Sequence, residues 1–206
     1  MFKKLLQITL AGFFSGSTFL ANAETLVDTG VPTPVNGALA LDSTQWVSAG
    51  ISLAGPNNIT DINGYFWIRN AGGLTLALYS ENEDTGLPGS QLFSQEFSIA
   101  GDLGTRGWFG ISGVNWSVSS GNYWISYEVR EGQTFDGAVE FASPSPVKMA
   151  VKNDYYTNWV LHGGGPGLIV EGTPVTAVPE PHTFAMLLAG LGFLGVAVRL
   201  RKQALT

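Results

Sequence analysis

The chain has no cysteine and only two histidines among its 206 residues. The first lack excludes a disulfide framework, a thiolate metal site and a cysteine nucleophile. The second leaves His162 as the one histidine between the two apolar ends, beside Gly163-Gly164-Gly165, where it reads as a solvated loop residue. Positive charge is also scarce. Of ten Lys and Arg residues, Lys3 and Lys4 open the chain and Arg199, Arg201 and Lys202 close it. Residues 24–177 therefore carry 15 acidic against five basic residues, a net charge of about −10, the wrong sign for a nucleic-acid backbone. No Gly-x-Ser-x-Gly elbow, His-Glu-x-x-His helix or phosphate-cradling Gly-x-x-x-x-Gly-Lys loop is present. The body accordingly reads as non-enzymatic, with no cofactor expected.

What the chain does have is concentrated first at its ends. Lys3 and Lys4, the apolar segment Leu5 to Leu20 and the small-x-small site Ala21-Asn22-Ala23 form a secretory signal over residues 1–23. Signal peptidase would cut there and leave Glu24 first. At the other end, Val178-Pro179-Glu180-Pro181 is held extended by its prolines. The run Phe184 to Val198 is 15 residues long without a charge, somewhat under the roughly 20 of a comfortable membrane span, and is followed by Arg199-Leu200-Arg201-Lys202. In these three parts and their order, the end of the chain resembles the PEP-CTERM sorting signal of Gram-negative bacteria. The resemblance implies recognition of Pro179, Glu180 and Pro181 by an exosortase, a membrane-embedded cysteine transpeptidase. It also implies a transmembrane helix over 182–198 whose basic cluster, Arg199, Arg201 and Lys202, stays in the cytoplasm. The expected route is export, an inner-membrane intermediate, then the cell surface or extracellular matrix.

Between the ends, the sequence reads as all-β, a β-sandwich or jelly roll flanked by the signal helix and the C-terminal transmembrane helix. Glycine and proline recur at short intervals, and β-branched and aromatic residues gather in short runs. Strands are expected at Gln45–Leu53, Ile59–Asn70, Leu74–Ser80, Gln91–Ile99, Val114–Ser119, Asn122–Arg130, Ala138–Ala142, Val147–Val151, Tyr155–Leu161 and Leu168–Glu171. Val114, Trp116 and Val118 alternate with polar residues, as do Tyr123, Ile125, Tyr127 and Val129, and Ser120-Gly121 between them predicts a hairpin. Gly163 to Gly167 reads as a flexible loop. The domain is expected over 24–171, a stalk over 172–177 and the sorting signal over 178–206. Trp46-Val47-Ser48-Ala49-Gly50, Leu74 to Tyr79, the polar loop Glu81 to Gly89 and Gly121-Asn122-Tyr123-Trp124 together resemble a β-sandwich module of other sorted surface proteins, which implies fold rather than function.

Three kinds of site are open to such a body. Glu81, Glu83 and Asp84 place hard oxygen ligands for calcium in one loop, and Asn57, Asn58, Asp61 and Asn63 form a second cluster. Six tryptophans and six tyrosines offer rings for stacking on a sugar, among them Trp108, Trp124 and Trp159. Paired carboxylates for glycoside hydrolysis would come from Glu96, Glu128, Glu131, Asp136 and Glu140. The expected role is structural or adhesive, with exopolysaccharide as a candidate partner; the alternatives are a calcium-dependent lectin-like module and a secreted glycoside hydrolase.

Overall fold

The computed structural model describes residues 23–33, 37–143, 145, 147–175, 187–188 and 190–192. Ala21, Pro179, Glu180, Pro181, Arg199, Arg201 and Lys202 lie outside the described residues, as do the expected signal helix and most of the segment 182–198. Ala23 is the first residue described and is exposed. Among the described residues, no helix is long and apolar enough to cross a membrane.

Among the described residues, the body has thirteen strands in two antiparallel sheets. The first sheet is organised on β4 (Asn57–Asn70). Along one flank of β4 run β13 (Leu168–Pro174) and then β10 (Asp136–Glu140), carrying β1 (Glu24–Asp28) and β2 (Ala38–Leu41) outside them. Along the other flank run β8 (Trp116–Val118) and β7 (Arg106–Ile111). The second sheet has the order β12 (Val160–His162), β11 (Lys148–Asn153), β3 (Gln45–Leu53), β9 (Gly121–Glu128), β5 (Gly72–Glu81) and β6 (Pro88–Ile99).

Period-two alternation explains how both sheets share one core. Ile62, Phe66 and Ile68 of β4, Val139 of β10 and Leu168 and Val170 of β13 are buried from one side. Val47, Ala49 and Ile51 of β3, Leu74, Leu76 and Leu78 of β5 and Ile125 and Tyr127 of β9 meet them from the other. Phe66 sits at the centre, edge-on to both Tyr127 and Phe135 at 5.1 and 5.8 Å between ring centroids. With no disulfide to constrain the unfolded chain, this burial carries the stability.

Several sequence expectations are corrected. Val114–Ser119 and Asn122–Arg130 do not form a hairpin: β8 pairs with Asn57–Ile59 in the first sheet, whereas β9 pairs with β3 and β5 in the second. The chain crosses between sheets at Ser119-Ser120-Gly121, with Gly121 at a φ of 153°, and Tyr123 ties the corner by donating its hydroxyl to the Ser119 carbonyl. Alternation survives a corner as well as a hairpin, so it does not discriminate between them. Tyr155–Leu161 is strand only from Val160, because the Asn153 side-chain oxygen accepts from the backbone of Tyr155 and Tyr156 and turns the chain outward. Gly165, Pro166 and Gly167 are buried rather than loose; a Cβ on Gly167 would stand 2.4 Å from Pro32.

The expected stalk is partly strand. β13 continues to Pro174, paired with Asn57, and the Val175 amide donates to the Pro56 carbonyl. Strands β1, β2 and β7 were not foreseen. β7 contains Gly107 and Gly110, which weaken its signal, yet Gly110 is required: a Cβ there would lie 1.9 Å from the Ile62 carbonyl oxygen.

Candidate functional site

The outer faces of the two sheets differ. On the second sheet, Ala150, Ser48, Ser126 and Ala77 lie side by side across β11, β3, β9 and β5, and all are fully buried. Large rings flank this row of small residues: Trp46, Trp124, Tyr79, and Trp159, which meets Tyr79 at 6.2 Å. Trp124, one of the rings available for stacking, is fully buried with its indole over Gly50. Glu128 is buried there too, accepting from the Tyr79 hydroxyl at 2.8 Å and from Arg130 Nε at 2.7 Å. The middle of that face is filled by its own side chains.

The first sheet leaves a hollow. Across it, Arg106, Trp67, Ala138 and Ala40 stand in one row on β7, β4, β10 and β2, pointing away from the core. Three alanines, Ala38, Ala40 and Ala138, are too small to fill the space beside the Trp67 ring, and a hollow of about 360 Å³ results. Arg69, Arg106, Gly137 and Glu140 complete its lining. Arg69 places its guanidinium 5.7 Å from the Trp67 ring centre and pairs with Asp136 at 3.3 Å. Arg106 Nε donates to Glu140 Oε1 at 2.5 Å. Glu140 is only 3% exposed, and its other oxygen, Oε2, is buried without a hydrogen-bond partner. Tyr65 and Trp108 continue the aromatic surface along the same face, edge to face at 5.2 Å.

The hollow therefore combines an aromatic wall, an apolar floor, guanidinium donors and a carboxylate acceptor with capacity to spare. Trp67 was missed as a candidate, although alternation along β4 would have placed it with Tyr65 and Arg69, opposite Phe66 and Ile68. Trp108 belongs to this face; Trp159 belongs to the other sheet. Asp136 and Glu140 share the face but are four residues apart on β10, roughly 13 Å between Cα atoms at strand rise, and each is engaged by an arginine. Glu128 lies in the other sheet.

The loop carboxylates behave differently. Glu81 accepts from Asn122 Nδ2 at 2.9 Å and lines a separate cleft of about 460 Å³ with Asp28, Ser52 and Lys148. Glu83 and Asp84 are exposed on a turn folded around Asn82, whose side-chain oxygen accepts from the backbone of Asp84 and Thr85. Asn57, Asn58, Asp61 and Asn63 lie on strand β4 and not in a loop. Among the described residues, no three histidine, cysteine or acidic side chains group as a metal ion would require.

No curated protein and no solved structure matches the chain. Residues 177–202 match the family model of the PEP-CTERM protein-sorting motif, a segment that begins two residues beyond Val175, where the described body ends. The chain thus carries a PEP-CTERM sorting motif at its C-terminal end, the mark of an exported protein that an exosortase processes for the cell surface.

Proposed function

We propose that this protein is a cell-surface or exopolysaccharide-matrix component whose β-sandwich body is a non-catalytic carbohydrate-binding module. The observation that carries the reading is the Trp67 hollow. An indole wall suits the apolar face of a pyranose ring, and the polar groups at its rim suit hydroxyls. Alanines at three neighbouring positions make room where ordinary surface residues would close it. The sorting motif supplies the location at which such a surface meets extracellular polymers.

The signal over residues 1–23 starts the export route in this reading, and the basic cluster Arg199, Arg201 and Lys202 keeps the tail inside until the exosortase acts. Glycan-array binding by the full chain, with and without calcium, tests the proposal. The expected result is binding that Trp67→Ala abolishes while the melting temperature holds. Binding unchanged in Trp67→Ala, or no glycan bound, overturns it.

A further inference from the structure

We infer that the glycan received at the Trp67 hollow is uncharged and is held through two neighbouring hydroxyls, one donating to Glu140 and the other accepting from Arg106. The inference rests on the carbohydrate reading and narrows it to a ligand class. Its starting point is the asymmetry of Glu140. Oε1 is taken by Arg106 Nε, while Oε2 is buried with no partner. A buried acceptor left unpaired is costly, and a ligand that brings a donor recovers that cost. A carboxylate only accepts, so the incoming group must be a hydroxyl or an N–H.

Arg106 supplies the complement. Its side chain is 45% exposed, and among the described residues only its Nε is used in a hydrogen bond. An acceptor and a donor side by side fit a vicinal diol, in which one hydroxyl gives its proton while its neighbour receives one. The sugar's carbon–hydrogen face then lies toward Trp67, where the Arg69 guanidinium is partly exposed and held by a weak ion pair, free to shift. The volume is at the small end of ligand sites, which suits a short stretch of polymer.

Charge works against acidic sugars. The two arginines of the lining are offset by Glu140, which lies in the lining, and by Asp136 just behind Arg69, so the hollow with its ion-pair partners has no excess of positive charge. A uronate or sulfate at the free N–H groups of Arg106 would set a second anion beside the buried Glu140 carboxylate, whose Oε2 already lacks a partner.

The test is calorimetric titration of the full chain in detergent with neutral gluco-, manno- and galacto-oligosaccharides, and with uronate-bearing and sulfated counterparts. Binding confined to the neutral set is expected, weakened at least ~10-fold by Glu140→Gln and by Arg106→Gln. Arg106→Gln alone strands the buried Glu140 charge, so the double variant Arg106→Gln/Glu140→Gln, which removes both charges together, keeps the comparison available should either single variant fail to fold. Tighter binding of the anionic set, or neutral binding unaffected by both variants, overturns this inference and leaves the carbohydrate reading standing if Trp67→Ala still abolishes binding. No binding to either set ends both.

Discussion

Tyr127 of β9 crosses the core and ends against Gly64 of β4, so closely that a Cβ on Gly64 would lie 2.7 Å from both the phenol carbon and its oxygen. The two sheets meet at this point through that one ring, with no side chain opposing it from Gly64. The Tyr127 hydroxyl is buried and finds no hydrogen-bond partner. Its removal in Tyr127→Phe therefore raises stability by about 1 kcal/mol, since the buried oxygen gives back no bond for its lost hydration. Gly64→Ala overpacks the same spot and lowers stability by about 1–3 kcal/mol. Urea denaturation of both variants measures the two signs.

Alkaline pH acts on the same group. Burial holds the Tyr127 hydroxyl far above the ordinary tyrosine value of 10.0. Tyr79 is raised first by burial and then by the adjacent Glu128 charge and hydrogen bond. The folded state keeps both phenols neutral while the unfolded chain ionises them. Their contribution is fully present below about pH 10 and is lost as pH rises beyond it. Denaturation midpoints between about pH 9 and pH 11 should fall, and fall less steeply in Tyr127→Phe.

Calcium should leave the body unmoved. Glu81, Glu83 and Asp84 do not converge, and Glu81 is already engaged by Asn122. Differential scanning fluorimetry with calcium and then with chelator is expected to give one melting temperature. A rise with calcium would restore the lectin-type alternative, because a ligand that binds only the folded state must stabilise it.

Sorting should depend on Glu180. Glu180→Ala is expected to leave export intact and to hold the uncut form in the inner membrane, read as a slower-migrating band in that fraction. Wild-type processing in this variant would argue against recognition of the Pro-Glu-Pro group.

Much of the fold was legible because alternation is a local property. The core faces of Val114, Trp116, Val118, Tyr123, Ile125 and Tyr127 follow from their order in the chain, and each is buried as expected. What alternation does not contain is the partner. Nothing near Trp116 indicates pairing with Ile59 and not Tyr123, and nothing near Glu24 indicates Gly172. The hollow was hidden for the same reason. Glu140 looks like any surface glutamate until Arg106, 34 residues earlier, closes over it, and Trp67 looks like core material until Ala138 and Ala40 are set beside it. The sorting motif needed no such assembly, since its recognition elements are contiguous in the chain.

The pairing of Glu24 with Gly172 and of Pro174 with Asn57 sends both ends of the described body out at one pole, where β4 begins. Trp67 lies ten residues farther along that strand, about 33 Å away at strand rise. β13 ends at that pole, so the described body hands the chain on toward residues 177–202 at the end of the sheet away from the hollow. A grip on that segment would therefore leave the opposite end of the sheet, with Trp67, unobstructed.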